Sequence, residues 1–218
     1  MPLSDYTSFD PDFSEEQVAQ CARLIAGMRT INERVVRLSG SVEDLSAAAD
    51  RVEALLDSIE PVTRSRAMES FRYAFDADAP NDVIPFNPAT GEFNPIAPPM
   101  KMTLENEKLV IRCTFPDRYE SGPDMVQGGM VAAVYDQLLA YAVMAAGATG
   151  PTLWLKVSYL KPTPIHEELR FEAAVASVEG KKFAVEGSCY RGDQKISEAQ
   201  AMVLRAMDLP RKGDAESE

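Results

Sequence analysis

Histidine is nearly absent. His166 is the only one in 218 residues, and no Ser and Asp lie near it in sequence, so a Ser-His-Asp triad is not expected. There is no HExxH, no Cys/His cluster and no paired-glycine phosphate loop. Neither a metal ion nor a nucleotide redox cofactor is therefore expected. Cysteine is also scarce: Cys21, Cys113 and Cys189 are far apart, odd in number and form no CxxC pair. They read as reduced, buried thiols of a cytoplasmic protein. The opening MPLSDYTSFDPDF is acidic and polar, and no secretory leader is expected from it. Positive charge is in short supply, with 22 Lys and Arg against 34 Asp and Glu and a net charge of −12. That balance argues against a nucleic-acid partner.

Long hydrophobic runs are almost missing as well. Residues 130–146 are nearly all apolar, but the run is short for a bilayer, ends in Ala and Gly and contains Asp136. A charge inside such a segment costs several kcal/mol in lipid, so a buried helix of a protein without membrane insertion is expected.

The acidity is uneven. Residues 1–60 hold 12 acids and 5 bases, whereas 151–207 hold 7 acids and 8 bases. The C-terminal half thus remains suited to an anionic ligand. Composition and pattern divide the chain into four: an N-terminal helical extension (1–75), a Pro-rich connector (76–100), a main domain (101–208) and a disordered acidic tail (209–218). In the extension, Ser14 with Gln17 forms a capping-box pattern ahead of Val18, Cys21, Ile25, Met28, Ile31, Val35 and Leu38 at helical spacing. Ser41 caps a second run, Val42, Leu45, Val52, Leu55, Leu56 and Ile59, which Pro61 ends. A shorter helical piece is expected at 63–75. Packing onto the main domain is the simpler role for these helices, and a lid or partner-binding element the other. In the connector, Pro80, Pro85, Pro88, Pro95, Pro98 and Pro99 remove backbone donors, so it is expected to wrap rather than fold.

From residue 101 the period changes to two. KMTLENEKLVIRCTF reads as two strands about a tight turn at Glu105–Glu107, PDRYESGPD as a loop, and 128–146 as the helix. TLWLKVSYLKP, ELRFEAAVASVEG, KKFAVEGSCYRGD and QKISEAQAMVLRAM then read as four strands, with Gly180-Lys181 and Gly192-Asp193 at two junctions. One long helix with an antiparallel sheet around it is an α+β arrangement.

Gln127-Gly128-Gly129 opens the helix, and Asp136 follows Gln127 by nine residues. Thr152 opens the next strand, SYLKP (158–162) ends it, and VEGKKF (178–183) makes a later turn. In this order the chain resembles the hotdog-fold acyl-CoA thioesterases, most of all the phenylacetate-pathway and thioesterase-superfamily-member type. That family has His-Gly-Gly, an Asp nine residues after the His, a Thr or Ser opening the next strand, Tyr-x-Arg/Lys-Pro at its end and a Val-Glu-Gly-Arg/Lys-Lys turn. The resemblance covers about half the chain, residues 101–207. Gln127 replaces the family His. It keeps a donor at similar reach for orienting or polarising the thioester, and it loses any ionisable role.

The resemblance implies an acyl-CoA thioesterase with sites at the interface of a homodimer or a dimer of dimers, coenzyme A being part of the substrate and no separate cofactor required. The residue types agree. First-turn N–H groups of a helix lack intrahelical acceptors and carry partial positive charge, so Gly128, with Gly129, suits an oxyanion hole. Asp136, read as buried on an apolar helix, suits a general base or nucleophile. Thr152 is expected to hold water or the carboxylate through its hydroxyl. Ser158, Lys161, Lys181, Lys182 and Arg191 are the candidate contacts to coenzyme A. The plainer readings are a glycine turn, a structural Asp, an ordinary strand Thr and solvated surface cations. Gly128 and Asp136 lie ~12 Å apart along a helix axis at ~1.5 Å per residue. That is too far for one carbonyl and its water, so two subunits are expected to build each site. A hotdog acyl-CoA hydratase or dehydratase, and a non-catalytic acyl-CoA-binding protein, are the competing functions.

Overall fold

The computed structural model of the chain describes residues 14–63, Phe75, Pro80 and residues 84–209. Its first helix, α1 (Glu15–Val35), is held by a reciprocal cap. The Ser14 hydroxyl accepts from Gln17 N at 3.2 Å and the Gln17 side chain accepts from Ser14 N at 2.8 Å. In α2 (Val42–Ile59) Ser41 and Asp44 do the same, and Pro61 lies in the short 3-10 turn Glu60–Val62 that ends it. Neither helix has a buried residue. What attaches α1 is polar. Arg29 donates to the carbonyls of Gly91 and Asn94, Asn32 donates to that of Pro95, and Glu33 pairs with Arg118 at 3.2 Å. The helical piece expected at 63–75 falls, apart from its two ends, outside the described residues, as does the tail beyond Leu209.

Residues 84–99 form successive turns that lie across the later core helix. Asn87 organises them: its side-chain oxygen accepts from Ala89 N and Thr90 N, while its amide donates to Gln137 at 2.6 Å. Thr90 and Tyr141 share a buried hydroxyl–hydroxyl bond at 3.2 Å. Phe93 and Ala97 of this strap are buried.

The remaining elements follow in order as β1 (Met100–Glu105), β2 (Lys108–Thr114), β3 (Glu120–Gly122), β4 (Met125–Val126), α3 (Gly128–Ala145), β5 (Ala148–Thr149), β6 (Thr152–Tyr159), β7 (Glu168–Glu179), β8 (Lys182–Arg191), β9 (Gln194–Leu204) and β10 (Met207–Asp208). Six of them form one sheet in the order β1-β2-β7-β8-β9-β6, every neighbouring pair antiparallel. The β1–β2 turn sets Asn106 and Glu107 at φ 49° and 63°, the backbone that two-residue hairpins favour. Gly180 and Gly192 supply the positive φ that the next two hairpins need.

The sheet closes around α3, in agreement with the α+β arrangement of strands about a long helix that the sequence predicts. Val131, Val134, Tyr135, Leu138, Leu139, Tyr141, Ala142, Val143 and Met144 of α3 are all buried. Tyr135 sets its ring edge on Phe171 at a centroid distance of 5.2 Å, and its hydroxyl meets Ser197 at 2.9 Å. Because its buried hydroxyl has a partner, this aromatic costs little to desolvate. Among the described residues α3 is the one helix long and apolar enough to cross a bilayer, and its buried face makes it a core helix here.

Two details depart from expectation. The segment expected as a loop, 116–124, contains a 3-10 turn (Asp117–Tyr119) and strand β3. Elements of three residues are too short to show a period. Cys113 and Cys189 are buried and free, but Cys21 is partly exposed on α1, so only two of the three thiols are core groups. Burial pushes the Cys189 thiol up to about 12 and the Cys113 thiol upward as well, which leaves both inert at neutral pH.

Replacing Phe171 by Ala removes a fully buried ring that seats α3. The variant is expected to lose ~3–5 kcal/mol of unfolding free energy, read from urea titration of the full chain.

Candidate active site at the N-terminus of the core helix

Three local features place the start of α3. Gln127 N donates to Tyr119 O at 2.8 Å, and Val126 N donates to Thr163 O at 2.8 Å, so the 3-10 turn ahead of β3 and the segment after β6 hold the entering chain from both sides. Tyr159, at the end of β6, donates its hydroxyl to Gly128 O at 2.6 Å. Burial raises its phenol above the ordinary value, so it stays a donor at neutral pH.

An open cleft of about 390 Å³ lies at this helix end, bounded by Gly122, Met125, Gly128, Tyr159, Lys161 and Thr163 among others. The N–H groups of Gly128 and Gly129 have no backbone acceptor among the described residues. These are the orphan donors of a first helical turn, with the positive end of the helix dipole behind them.

Gln127 does something other than face the cleft freely. Its side-chain oxygen accepts from Met130 N at 2.9 Å and so caps the helix. Gly129 makes that fold-back possible, because a Cβ there would lie 2.8 Å from the Gln127 side-chain oxygen. The carboxamide nitrogen of Gln127 remains available as a donor.

Asp136 requires a correction. It is solvent-exposed, not buried. Nine residues of α3 face the core, but at 3.6 residues per turn Asp136 falls on the uncovered arc, with Gly129, Ala132, Ala133 and Ala140 around it. An apolar neighbourhood in sequence is thus not a dry one in space. Among the described residues no hydrogen bond or ion pair ends on Asp136.

Thr152 starts β6 opposite Val203, on the side of the sheet that faces α3, and is half-exposed. Ser158 lies on the other side. It pairs with Glu198 and lines a polar groove with Lys156, Glu186 and Gln200, away from the helix. Lys161 borders the cleft. Lys181 and Lys182 stand at the start of β8 and Arg191 at its end. Nine residue steps of strand separate the last two, ~30 Å at ~3.3 Å per residue, so one protomer does not bring these cations to one phosphate. Arg191 already pairs with Glu167. The sequence did not single out Tyr159 as a site residue. It stands inside SYLKP, but its bond to a residue 31 positions earlier leaves no local signal.

The family model for the thioesterase superfamily matches residues 125–198, which run from β4 into β9 and include every group of the cleft from Met125 onward. A solved structure of a thioesterase superfamily protein matches with a TM-score of 0.74 and 23% identity, over 84% of this chain and 94% of that chain. That coverage takes the likeness beyond the sheet into the N-terminal part. Two further structures match about half of this chain. One is a Streptococcus mutans UA159 protein bound to acetyl CoA (15% identity, 51% of this chain and 92% of that chain, TM-score 0.49). The other is the E. coli PaaI protein from the phenylacetic acid degradation operon (14%, 50% and 81%, 0.47). No curated protein matches the sequence. The fold is therefore the hotdog fold, and the segment that carries the cleft is the one that matches the thioesterase-superfamily model.

Gln127→Ala is expected to cost ~1 kcal/mol of stability through the lost cap, and Gln127→Ser to restore it. Urea unfolding of the two variants checks this. Unchanged stability in Gln127→Ala would contradict the capping role.

Proposed function

We propose that the protein hydrolyses an acyl-CoA thioester and works as a two-fold dimer. The observation that carries this reading is a pair of half-sites on one helix. Gly128, whose amide is unpaired among the described residues, borders a cleft at its tip with the Gly129 amide next to it in the chain, and a carboxylate with no partner among the described residues stands two turns along on a face of small residues. They are ~12 Å apart on the axis, so neither half suffices alone.

The sheet edge supports a second chain. β6 is the last strand of the sheet, so one of its edges has no neighbour, and Leu153, Trp154, Tyr159 and Leu160 leave large apolar groups exposed along it. Such an edge is a template for pairing. An antiparallel β6–β6 contact about a two-fold axis buries these groups. It also sets the Thr152 end of one protomer beside the Tyr159 end of its partner. The Lys181–Lys182 turn, at the Thr152 end, then reaches the partner's cleft, where Lys161 already stands. The same operation lays the two α3 helices antiparallel, their Gly and Ala faces permitting close approach, and carries Asp136 of one toward Gly128 of the other.

In this arrangement the thioester oxygen lies against the Gly128 N–H, with Gly129 and the Gln127 amide as further donors. Asp136 takes a proton from water as the water oxygen attacks the thioester carbon. The tetrahedral oxyanion is held by the helix tip. Its collapse breaks the C–S bond, and the proton on Asp136 passes to the departing thiolate, giving a free acid and coenzyme A. Thr152, at the inner face of the edge strand, orients the water or the carboxylate. A hydratase or dehydratase is disfavoured by the one histidine, which pairs with Asp117 and not with Asp136.

Thiol release from a panel of acyl-CoAs tests the proposal. Asp136→Asn is expected to lower kcat by ~10²-fold or more while KM and the state of association stay unchanged. Equal rates in both proteins would reject Asp136 as the base, and no release from any acyl-CoA by the wild type would reject the activity.

A further inference from the structure

The second helix is poorly accounted for by the fold. An amphipathic helix of 18 residues gains most of its stability from packing one face on something else. Yet in α2 only Ala47, Leu55 and Ile59 are even half-buried. Leu45, Val52 and Leu56 are 40%, 44% and 60% exposed, and at 100° per residue they form one stripe with Ala49. The stripe continues into a groove of about 330 Å³ that Gln20, Arg23, Leu24, Gly27, Met28 and Ile31 of α1 share with Leu55, apolar apart from Gln20 and the one cation, Arg23. The surface is long, apolar and open along its length.

Charge decides what fits it. Residues 42–60 hold six carboxylates and one arginine, Arg51, a net charge of −5. Asp50, Glu53 and Asp57 lie along one border of the stripe, and Arg51 points to the far side of the helix. A second copy of α2, five carboxylates and one arginine over Val42–Ile59, would bring −4 against −4, and a membrane rich in anionic lipid would meet the same repulsion. We propose that the stripe of α2 with the α1 groove is a docking surface for a basic amphipathic helix of another protein. That helix lays a row of Leu-like side chains on Leu45, Val52 and Leu56 and sets Lys or Arg against Asp50, Glu53 and Asp57. This inference is independent of the hydrolase reading, since none of these residues touches the cleft or the Asp136 face.

Two synthetic 18-residue helical peptides with the same leucine stripe, one bordered by lysines and one by glutamates, probe it against the full chain by fluorescence anisotropy. The wild type is expected to bind the lysine peptide at least about tenfold more tightly. Val52→Asp with Leu56→Asp is expected to abolish that binding, with thiol release and far-UV circular dichroism unchanged. Asp50→Lys with Glu53→Lys and Asp57→Lys is expected to invert the preference toward the glutamate peptide. Equal affinity of the wild type for both peptides, or a triple variant that keeps the wild-type preference, would overturn the proposal. It would equally fall if Val52→Asp with Leu56→Asp lowered the sedimentation mass, which would make a second copy the occupant. Binding of phosphatidylglycerol vesicles by the wild type but not by that variant would make it a lipid face.

Discussion

The seat of α3 in the curved sheet is the constraint on which the rest depends. Tyr135 against Phe171 and Ser197, with Val131, Leu138 and Leu139 beside it, fixes the rotation of the helix about its axis. Once that rotation is set, the direction in which Asp136 points is set too, as is the arc of Gly and Ala around it. The bond from Tyr159 to Gly128 O fixes the helix along its axis, so the free amides stand at the mouth of the cleft. Dispersion and hydrophobic burial thus position polar groups that make almost no contacts of their own.

The strap and the N-terminal helix are attached differently. Asn87, Thr90, Arg29, Asn32 and the Arg118–Glu33 pair tie them down by hydrogen bonds and charge; the strap also buries Ala89, Phe93 and Ala97, whereas α1 buries no side chain fully. The strap covers the side of α3 at Gln137 and Tyr141 and leaves the Asp136 arc bare. A cover over one side and none over the other is what a helix needs if a second protomer is to reach its carboxylate. The apolar edge of β6 stands open in the same way.

Much of this was legible in the residues. Strands of alternating character, glycines at two hairpins and the Ser14 and Ser41 caps gave the element order and the α+β arrangement, the resemblance carried by the motifs implied the hotdog fold, and the QGG segment located the helix tip. Three things were not legible, each for a physical reason. Ala132, Ala133 and Ala140 read as apolar and so suggest a buried Asp136, but their small side chains mark a helix face left free. Gln127 is not a favoured capping residue type, and only its fold-back over Gly129 reveals the cap. Lys182 and Arg191 look close in sequence, yet an extended strand carries them to opposite ends of the sheet, so a shared role has to involve two chains.

The central claim, that each site takes its amides from one chain and its carboxylate from the other, is tested most directly by mixing two inactive dimers. Asp136→Asn supplies intact helix tips. Gly128→Val, with a branched side chain beside the Tyr159 hydroxyl, blocks the cleft and leaves Asp136 intact. After exchange of subunits, statistical heterodimers carry one intact site each, so about a quarter of the wild-type rate is expected to return. If native mass spectrometry shows heterodimers while the mixture stays inactive, the amides and the carboxylate belong to the same chain and the account is wrong.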